Sequence, residues 1–438
     1  MKSYMKLTAR KSRLKGTVTI PASKSHTIRA VAIASLASGQ SSIRKPLESG
    51  DTTAAVNCYR ALGANIDTSN PQLWKVTGIG GKIKPPKETI DVLNSGTTLR
   101  IAMGSAALAQ PGQTTTFTGD EQIQSRSIGP LMQSLEDLGA KCKSLKNNDK
   151  APVQVTGQLK GGKTSIAAST SQYVSSLVLC TPLAEKDSVI DVTLLNEPDY
   201  VRMTLDWLDK QGIEYENQQM RRFHIKGRQQ YKAFDDTVAA DFSSATFFLC
   251  AAALAGDGVT LLGLDFTDSQ PDKAVIDYLR KMGADIIIGA DSITVRAATL
   301  QGIEIDMNRT PDALPAMAVT AAFTEGETRL VNVPQARTKE TDRIKCMAEE
   351  LKKLSVDVEE LPDGLIIRGN LRVASNERRG TIYLDGRSDH RIVMALSLAG
   401  LMLDEECIID TAEAMSVTFP KFVELMKSLG AEIEIVSA

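Results

Sequence analysis

The sequence predicts an α/β protein built from one supersecondary unit used six times. Two recurrences along the 438 residues predict it, and a third pattern fixes the class. Short polar clusters open helices rich in Ala and other small apolar residues at PASKSHTIRA, NSGTTLRIA, STSQYVSSL, DFSSATFFL, RTPDALPAM and GRSDHRIVM. Their markers, Ser25, Gly96, Ser171, Ser243, Asp312 and Asp389, stand 69 to 77 residues apart. On the same beat a longer helix ends in a glycine turn and runs into a strand: Gly63, Gly139, Gly212, Gly283 and Gly430, with Ser355 in the missing place. A fixed period this long is the mark of a repeated structural unit. Helices alternate with strands throughout, which calls for sheets covered by helices.

Each unit reads as strand, small-residue helix, strand, amphipathic helix and strand pair, βαβαββ. The amphipathic members show helical periodicity: TTAAVNCYRALG, GPLMQSLEDLG, YVRMTLDWLDKQG, KAVIDYLRKMG, RIKCMAEELKKL and FVELMKSLG. The β-branched or alternating runs after them, such as KVTG, VQVTG, FHIKG, SITVRA and LIIRG, end in small turn residues. Six units exceed one core, so two domains of three units are expected. The first covers residues 22–238 and the second covers 239–438. The last unit has no strand pair after LGAEIEIVSA, while YMKLTA and GTVTIP near the N-terminus have no unit of their own. They are expected to complete the second domain, as residues 1–21. The chain then crosses twice between domains, near residues 21 and 239, and a double crossing makes a hinge.

Composition excludes several classes. A net charge of −2 gives no reason to expect nucleic acid or an anionic membrane as partner. No apolar run approaches a membrane span, and the basic N-terminus has no apolar core, unlike a secretory signal. The six cysteines form no CxxC pair and there are three histidines, so neither a metal site nor a disulfide frame is expected. A cytoplasmic protein follows, expected to be a monomer without cofactor.

The helix starts carry cations where the helix dipole disfavours them. Lys24, Arg29, Arg100 and Arg391 lie in first turns, SRSIGPLM brings Arg126, and KETDRIKCM brings Lys339 and Arg343. Any one of these suits an exposed surface, but the recurrence favours an anionic ligand held by free backbone N–H groups and basic side chains. Lys24, Ser25 and Arg29 form one such receptor. Asn94, Ser95, Gly96 and Thr97 offer donors and, at Gly96, close approach. Thr170, Ser171 and Gln172 supply uncharged donors, although Ser, Thr and Asn here also suit plain N-capping. Asp312 and Glu340 are carboxylates among these cations. They suit ion pairs, or proton transfer in an anion-binding site. His390 precedes the last helix and suits either a structural or a proton-handling role.

With these motifs assembled, the chain resembles the 5-enolpyruvylshikimate-3-phosphate synthase family. PASKSHTIRA, NSGTTLR, the Arg126 loop, TSQ, the PDA turn, KETDR and DHR match its motifs in order over essentially the whole chain. The resemblance implies a two-domain inside-out α/β barrel of six βαβαββ units, three per domain. It implies transfer of the enolpyruvyl group of phosphoenolpyruvate to the 5-hydroxyl of shikimate 3-phosphate, with release of phosphate, through a tetrahedral intermediate. Phosphoenolpyruvate would be held by Lys24, Gly96, Arg126, Gln172, Arg343 and Arg391. Shikimate 3-phosphate would be held by Lys24, Ser25, Arg29, Thr170, Ser171, Gln172, Asp312 and Lys339. The implied catalytic set is Asp312, Glu340, Lys24 and His390. Three positions depart from the family pattern: Val417 where many members have Lys, Ile101 where Pro is frequent, and Glu197 where a Ser commonly touches the substrate phosphate. A sister enolpyruvyltransferase acting on UDP-N-acetylglucosamine is expected to carry Lys-Asn at 24–25 and a Cys in the Arg126 loop; neither is present. A non-catalytic anion-binding module would not need both Asp312 and Glu340.

Overall fold

The computed structural model describes residues 5–369 and 380–437. The chain divides into two compact units, Ala22–Val238 and Met1–Pro21 with Ala239–Ala438. Among the described residues each unit contains three four-stranded sheets. Every sheet joins one parallel strand pair to antiparallel neighbours, because the small-residue helix crosses over the sheet and the later strands return as hairpins.

In Ala22–Val238 the middle repeat shows the plan. Ile90–Asp91 leads to the helix Gly96–Ala106, then to the parallel partner Thr114–Thr118. The amphipathic helix Gly129–Asp137 follows, then Lys141–Ser144 and Val153–Thr156, both antiparallel. The first repeat borrows its leading strand: Asp235–Thr237 pairs parallel with Gln40–Arg44. That exchange closes the unit on itself.

The other unit uses the same device with the N-terminus. Met5–Arg10 pairs antiparallel with Cys407–Ile409 and Glu432–Ser437. Tyr4, at the start of the YMKLTA segment, lies outside the described residues. Leu14–Thr19 pairs parallel with Gly256–Leu262 as the leading strand of the fourth repeat.

The small-residue helices are buried all round, and the amphipathic ones cover the sheets. Gly96–Ala106 and His390–Gly400 are buried at every residue, and Phe242–Ala255 nearly so. Small side chains let these helices sit inside a core from which an amphipathic helix would be excluded. The hydrophobic residues form one core in each unit. The repeat turns need a left-handed residue after each amphipathic helix, which glycine adopts without cost. Ser355 takes that conformation in the one repeat without glycine, with φ 60.

Candidate active site

Helix starts gather the candidate residues, and their caps explain the local structure. Ser23, Ser95, Thr170 and Asp389 each accept a bond from an orphan backbone N–H of the helix that follows. The capping alternative therefore accounts for Thr170 in part.

In Ala22–Val238, Lys24 opens the helix Lys24–Leu36 and its Nζ lies 3.0 Å from Asp51 Oδ2. Asp51 is buried in the first turn of Gly50–Ala61, where the helix dipole favours a carboxylate. Arg29, one turn after Ser25, is buried. Its guanidinium donates to Thr204 Oγ1 at 2.8 Å, to the carbonyls of Ser25 and Tyr200 at 3.0 Å, and to Ser175 Oγ at 3.4 Å. Burial pushes its pKa down to about 10. Arg29 thus anchors the helix Lys24–Leu36 to Pro198–Gln211. His26 Nδ1 accepts from Trp207 Nε1 at 3.0 Å across the same junction.

Gly96 stands against two guanidinium groups. A side chain there would collide with Arg100 Nη1 and come within 2.9 Å of Arg126 Nη1. Arg100 Nη1 donates to Gln172 Oε1 at 3.0 Å, and Gln172 Nε2 donates to Thr97 Oγ1 at 3.2 Å. The structure therefore brings Gly96, Arg126 and Gln172 together, with Arg100 between them. Two like charges converging on one glycine suit an anion. Asn94 is engaged with Asp120 and Gln122, each at 2.6 Å, which ties this helix start to the Arg126 segment. Thr170 and Ser171 face the buried carboxylate of Glu197.

In the other unit, Arg343 organises a second cluster. It opens the helix Arg343–Lys353 and is 1% exposed. Its Nη1 donates to Asp312 Oδ1 at 2.8 Å, Nη2 to Glu340 Oε2 at 2.5 Å, and Nε to Asp389 Oδ2 at 2.8 Å. Burial alone would weaken its charge, but Asp389, Glu340 and Asp312 raise its pKa above the usual arginine value. Asp312 lies in the turn Pro311–Ala313 and also meets Arg391 Nη2 at 3.1 Å and Lys339 Nζ at 3.9 Å. The structure thus assembles Asp312, Lys339, Glu340, Arg343 and Arg391. His390 is buried beside Asp389, and burial pushes its pKa down to about 3 despite that carboxylate. At neutral pH it is an uncharged imidazole. Among the described residues, no group of three or more His, Cys, Asp or Glu side chains is arranged to hold a metal.

The sequence profile of the family described as EPSP synthase (3-phosphoshikimate 1-carboxyvinyltransferase) matches residues 8–426. The chain belongs to the EPSP synthase family. A protein of Ruminiclostridium cellulolyticum named 3-phosphoshikimate 1-carboxyvinyltransferase is 50% identical over 432 residues, covering 99% of this chain and 100% of its own. A protein of the same name from Acetivibrio thermocellus is 50% identical over 429 residues, covering 98% and 99%. A solved EPSP synthase from Acinetobacter baumannii superposes with a TM-score of 0.81 at 25% identity, covering 99% and 100%. The fold class read from the sequence, a two-domain inside-out α/β barrel of repeated units, is therefore the fold of this EPSP synthase family member.

Sequence reasoning missed three residues of these clusters as site components. Asp51 carries no signal in the sequence because it lies in an amphipathic helix rather than at a small-residue start. Asp389 served as a repeat marker, although the family's DHR motif contains it. Arg100 reads in the sequence as a first-turn cation, and nothing in its spacing signals Gln172 as its partner.

Proposed function

We propose that this chain transfers the enolpyruvyl group of phosphoenolpyruvate to the 5-hydroxyl of shikimate 3-phosphate in aromatic amino acid biosynthesis. The products are 5-enolpyruvylshikimate 3-phosphate and inorganic phosphate. The observation that carries this reading is the family match over residues 8–426, with half-identical relatives of the same length named for that reaction.

Phosphoenolpyruvate is held by Lys24, Gly96, Arg126, Gln172, Arg343 and Arg391. Shikimate 3-phosphate is held by Lys24, Ser25, Arg29, Thr170, Ser171, Gln172, Asp312 and Lys339. Asp312 accepts the proton of the 5-hydroxyl as its oxygen bonds to C2 of phosphoenolpyruvate. Glu340 enters this step as the protonated acid and delivers its proton to the methylene carbon, which becomes a methyl group, and a tetrahedral phospho-ketal forms with Glu340 left as the carboxylate. In the second step Glu340 removes a methyl proton, the C2–O bond to phosphate breaks, and Lys24 neutralises and protonates the leaving phosphate. The ion pairs of Asp312 and Glu340 with Arg343 support these roles, because they hold both carboxylates in fixed directions. Four of the five N–H groups of Arg343 serve the three carboxylates, so its contribution to phosphoenolpyruvate is chiefly its field. The low pKa of His390 supports an uncharged hydrogen-bonding role for it, within the catalytic set.

A cytoplasmic setting is supported by six free cysteines, five of them buried. Among the described residues no helix is long and apolar enough to cross a membrane. A net charge of −2 argues against nucleic acid as a partner, and the protein is taken to act as a monomer. The hinge near residues 21 and 239 belongs to the same proposal. Its expected sign is a smaller radius of gyration in small-angle scattering when shikimate 3-phosphate is added.

The test is phosphate release from phosphoenolpyruvate with shikimate 3-phosphate, with UDP-N-acetylglucosamine, or with no acceptor. Release that depends on shikimate 3-phosphate alone is expected. Equal release without acceptor would sink the assignment.

A further inference from the structure

Glu197 departs from the family pattern, and its carboxylate is not idle. It is 1% exposed, and its Oε2 accepts from Ser171 Oγ at 2.8 Å, from the Ser171 backbone N–H at 3.3 Å and from Thr170 Oγ1 at 3.4 Å. Those donors stand at the start of the helix Ser171–Cys180, where an anion is favoured.

The backbone at Glu197 bears out a committed geometry. The residue is the N-cap of Pro198–Gln211, yet its side chain makes no cap bond to that helix. It adopts φ 59 and ψ 49, a left-handed conformation that a residue with a Cβ takes at a cost. Next to it, the Asn196 N–H donates to the Ala168 carbonyl at 3.1 Å, and Asn196 Nδ2 donates to the Ser169 carbonyl at 3.3 Å. Two short segments, 168–171 and 196–197, are thereby clamped together with the carboxylate directed across the join. Behind it, Arg29 is committed to the Tyr200 carbonyl and Thr204 of the helix that Glu197 precedes.

We propose that Glu197 is an internal stand-in for the phosphate of the acceptor. Its carboxylate holds the Thr170–Ser171 donors when no ligand is bound, and it swings off them when a phosphate monoester arrives. The inference rests on the assignment of Thr170 and Ser171 to shikimate 3-phosphate. One set of three donors cannot serve a carboxylate and a phosphate at once, and the two anions repel at this range. Apparent affinity for the phosphate-bearing acceptor is then reduced by the fraction of molecules whose receptor is open. An acceptor without phosphate does not need these donors and escapes that reduction. Glu197 is in this sense a specificity-determining residue that sets how strongly the phosphate is rewarded.

The experiment is calorimetric titration of shikimate 3-phosphate and of shikimate into the full chain and into Glu197→Gln, Glu197→Ser and Ser171→Ala. Glu197→Gln keeps the shape and one accepting oxygen, so it guards against a folding defect; Glu197→Ser clears the receptor. Shikimate 3-phosphate should bind about ten-fold or more tighter to Glu197→Ser, with Glu197→Gln between it and the unmodified chain. Shikimate affinity should be unchanged in both. Ser171→Ala should weaken shikimate 3-phosphate. If Ser171→Ala weakens it while both Glu197 variants bind it no better than the unmodified chain, the stand-in is overturned and the site assignment stands. If Ser171→Ala has no effect, the phosphate is held elsewhere and both ideas fall.

Discussion

Asp389 and Arg343 form a buried ion pair made at two points, Nε to Oδ2 at 2.8 Å and Nη2 to Oδ1 at 3.3 Å. The pair joins two helix starts, because Arg343 opens Arg343–Lys353 while Asp389 caps His390–Gly400 through the Arg391 N–H. Thr341 Oγ1 also donates to the carboxylate, at 3.1 Å. Through Arg343 the same pair fixes Asp312 and Glu340, so one buried contact sets the direction of both proposed proton carriers.

Removing Asp389 takes from the buried Arg343 two of its four hydrogen bonds and one of its three carboxylate partners, and breaking a buried pair in this way costs about 3–5 kcal/mol. Asp389→Ala should therefore lower the thermal midpoint by about 6 °C or more in calorimetry. Asp389→Asn, which keeps the shape and part of the hydrogen bonding, should lose less. A shift under about 2 °C for Asp389→Ala would show that the pair contributes little.

His390 gives the folded state an acid limit. Its pKa is about 3 in the fold against 6.5 ordinarily, with burial as the main cause. Between those values the unfolded chain binds a proton that the folded chain refuses. Stability then rises with pH through the window and is lost as pH falls from about 6.5 towards 3. Asp389 has the same sign further down: burial opposes its charge, but Arg343 holds its pKa below 3.8, so its contribution is lost in stronger acid. The His390 effect is on the order of a few kcal/mol. Denaturant midpoints measured from pH 7 to pH 4 should fall for the unmodified chain and stay flatter for His390→Asn. Equal slopes for the two proteins would remove His390 as the cause.

Gly96 tests the basic cluster. The atoms that a Cβ would meet are the ends of two flexible arginines, so Gly96→Ala should fold while Arg100 and Arg126 are pushed aside. Charge-assisted hydrogen bonds to these groups are worth roughly 1.5–3 kcal/mol. Phosphoenolpyruvate affinity should drop about ten-fold or more, with shikimate 3-phosphate little changed. Equal loss for both ligands would mean that the substitution disturbs the helix start as a whole.

The repeat made the fold legible. Small-residue helix starts and left-handed turns are local features, so they survive in the sequence, and even Ser355 keeps the glycine backbone shape. The N-terminal strands are legible as surplus, and the fold divides them: Met5–Arg10 completes the sheet of the last repeat and Leu14–Thr19 leads the fourth. The clusters were legible only as a set of residue types. Which carboxylate meets which cation depends on contacts such as Arg343 with Asp389, 46 residues apart, or Lys24 with Asp51 on the next helix. Glu197 marks the same boundary. The sequence shows an acid in an unusual position, and only the fold shows that it turns onto Ser171 instead of capping its own helix.

The two proton carriers can be separated from plain ion-pair partners by changing charge and keeping shape. Asp312→Asn and Glu340→Gln retain hydrogen-bonding groups towards Arg343, so both should fold and bind shikimate 3-phosphate. General acid–base roles contribute about 10²–10⁴ in rate, and both variants should lose turnover on that order. They should differ in one respect. Phosphoenolpyruvate methylene protons exchange with solvent when the addition step reverses, because the methyl group of the tetrahedral intermediate carries a solvent-derived proton. Glu340→Gln should suppress that exchange in deuterium oxide, since the group that delivers and removes the proton at carbon is gone. Asp312→Asn should slow exchange only as far as it slows formation of the intermediate. If Glu340→Gln exchanges deuterium at the rate of the unmodified chain, Glu340 is a structural partner of Arg343, and the proton at carbon passes through Lys24. His390, with its pKa near 3, is an uncharged imidazole at neutral pH and not the imidazolium acid such a step needs.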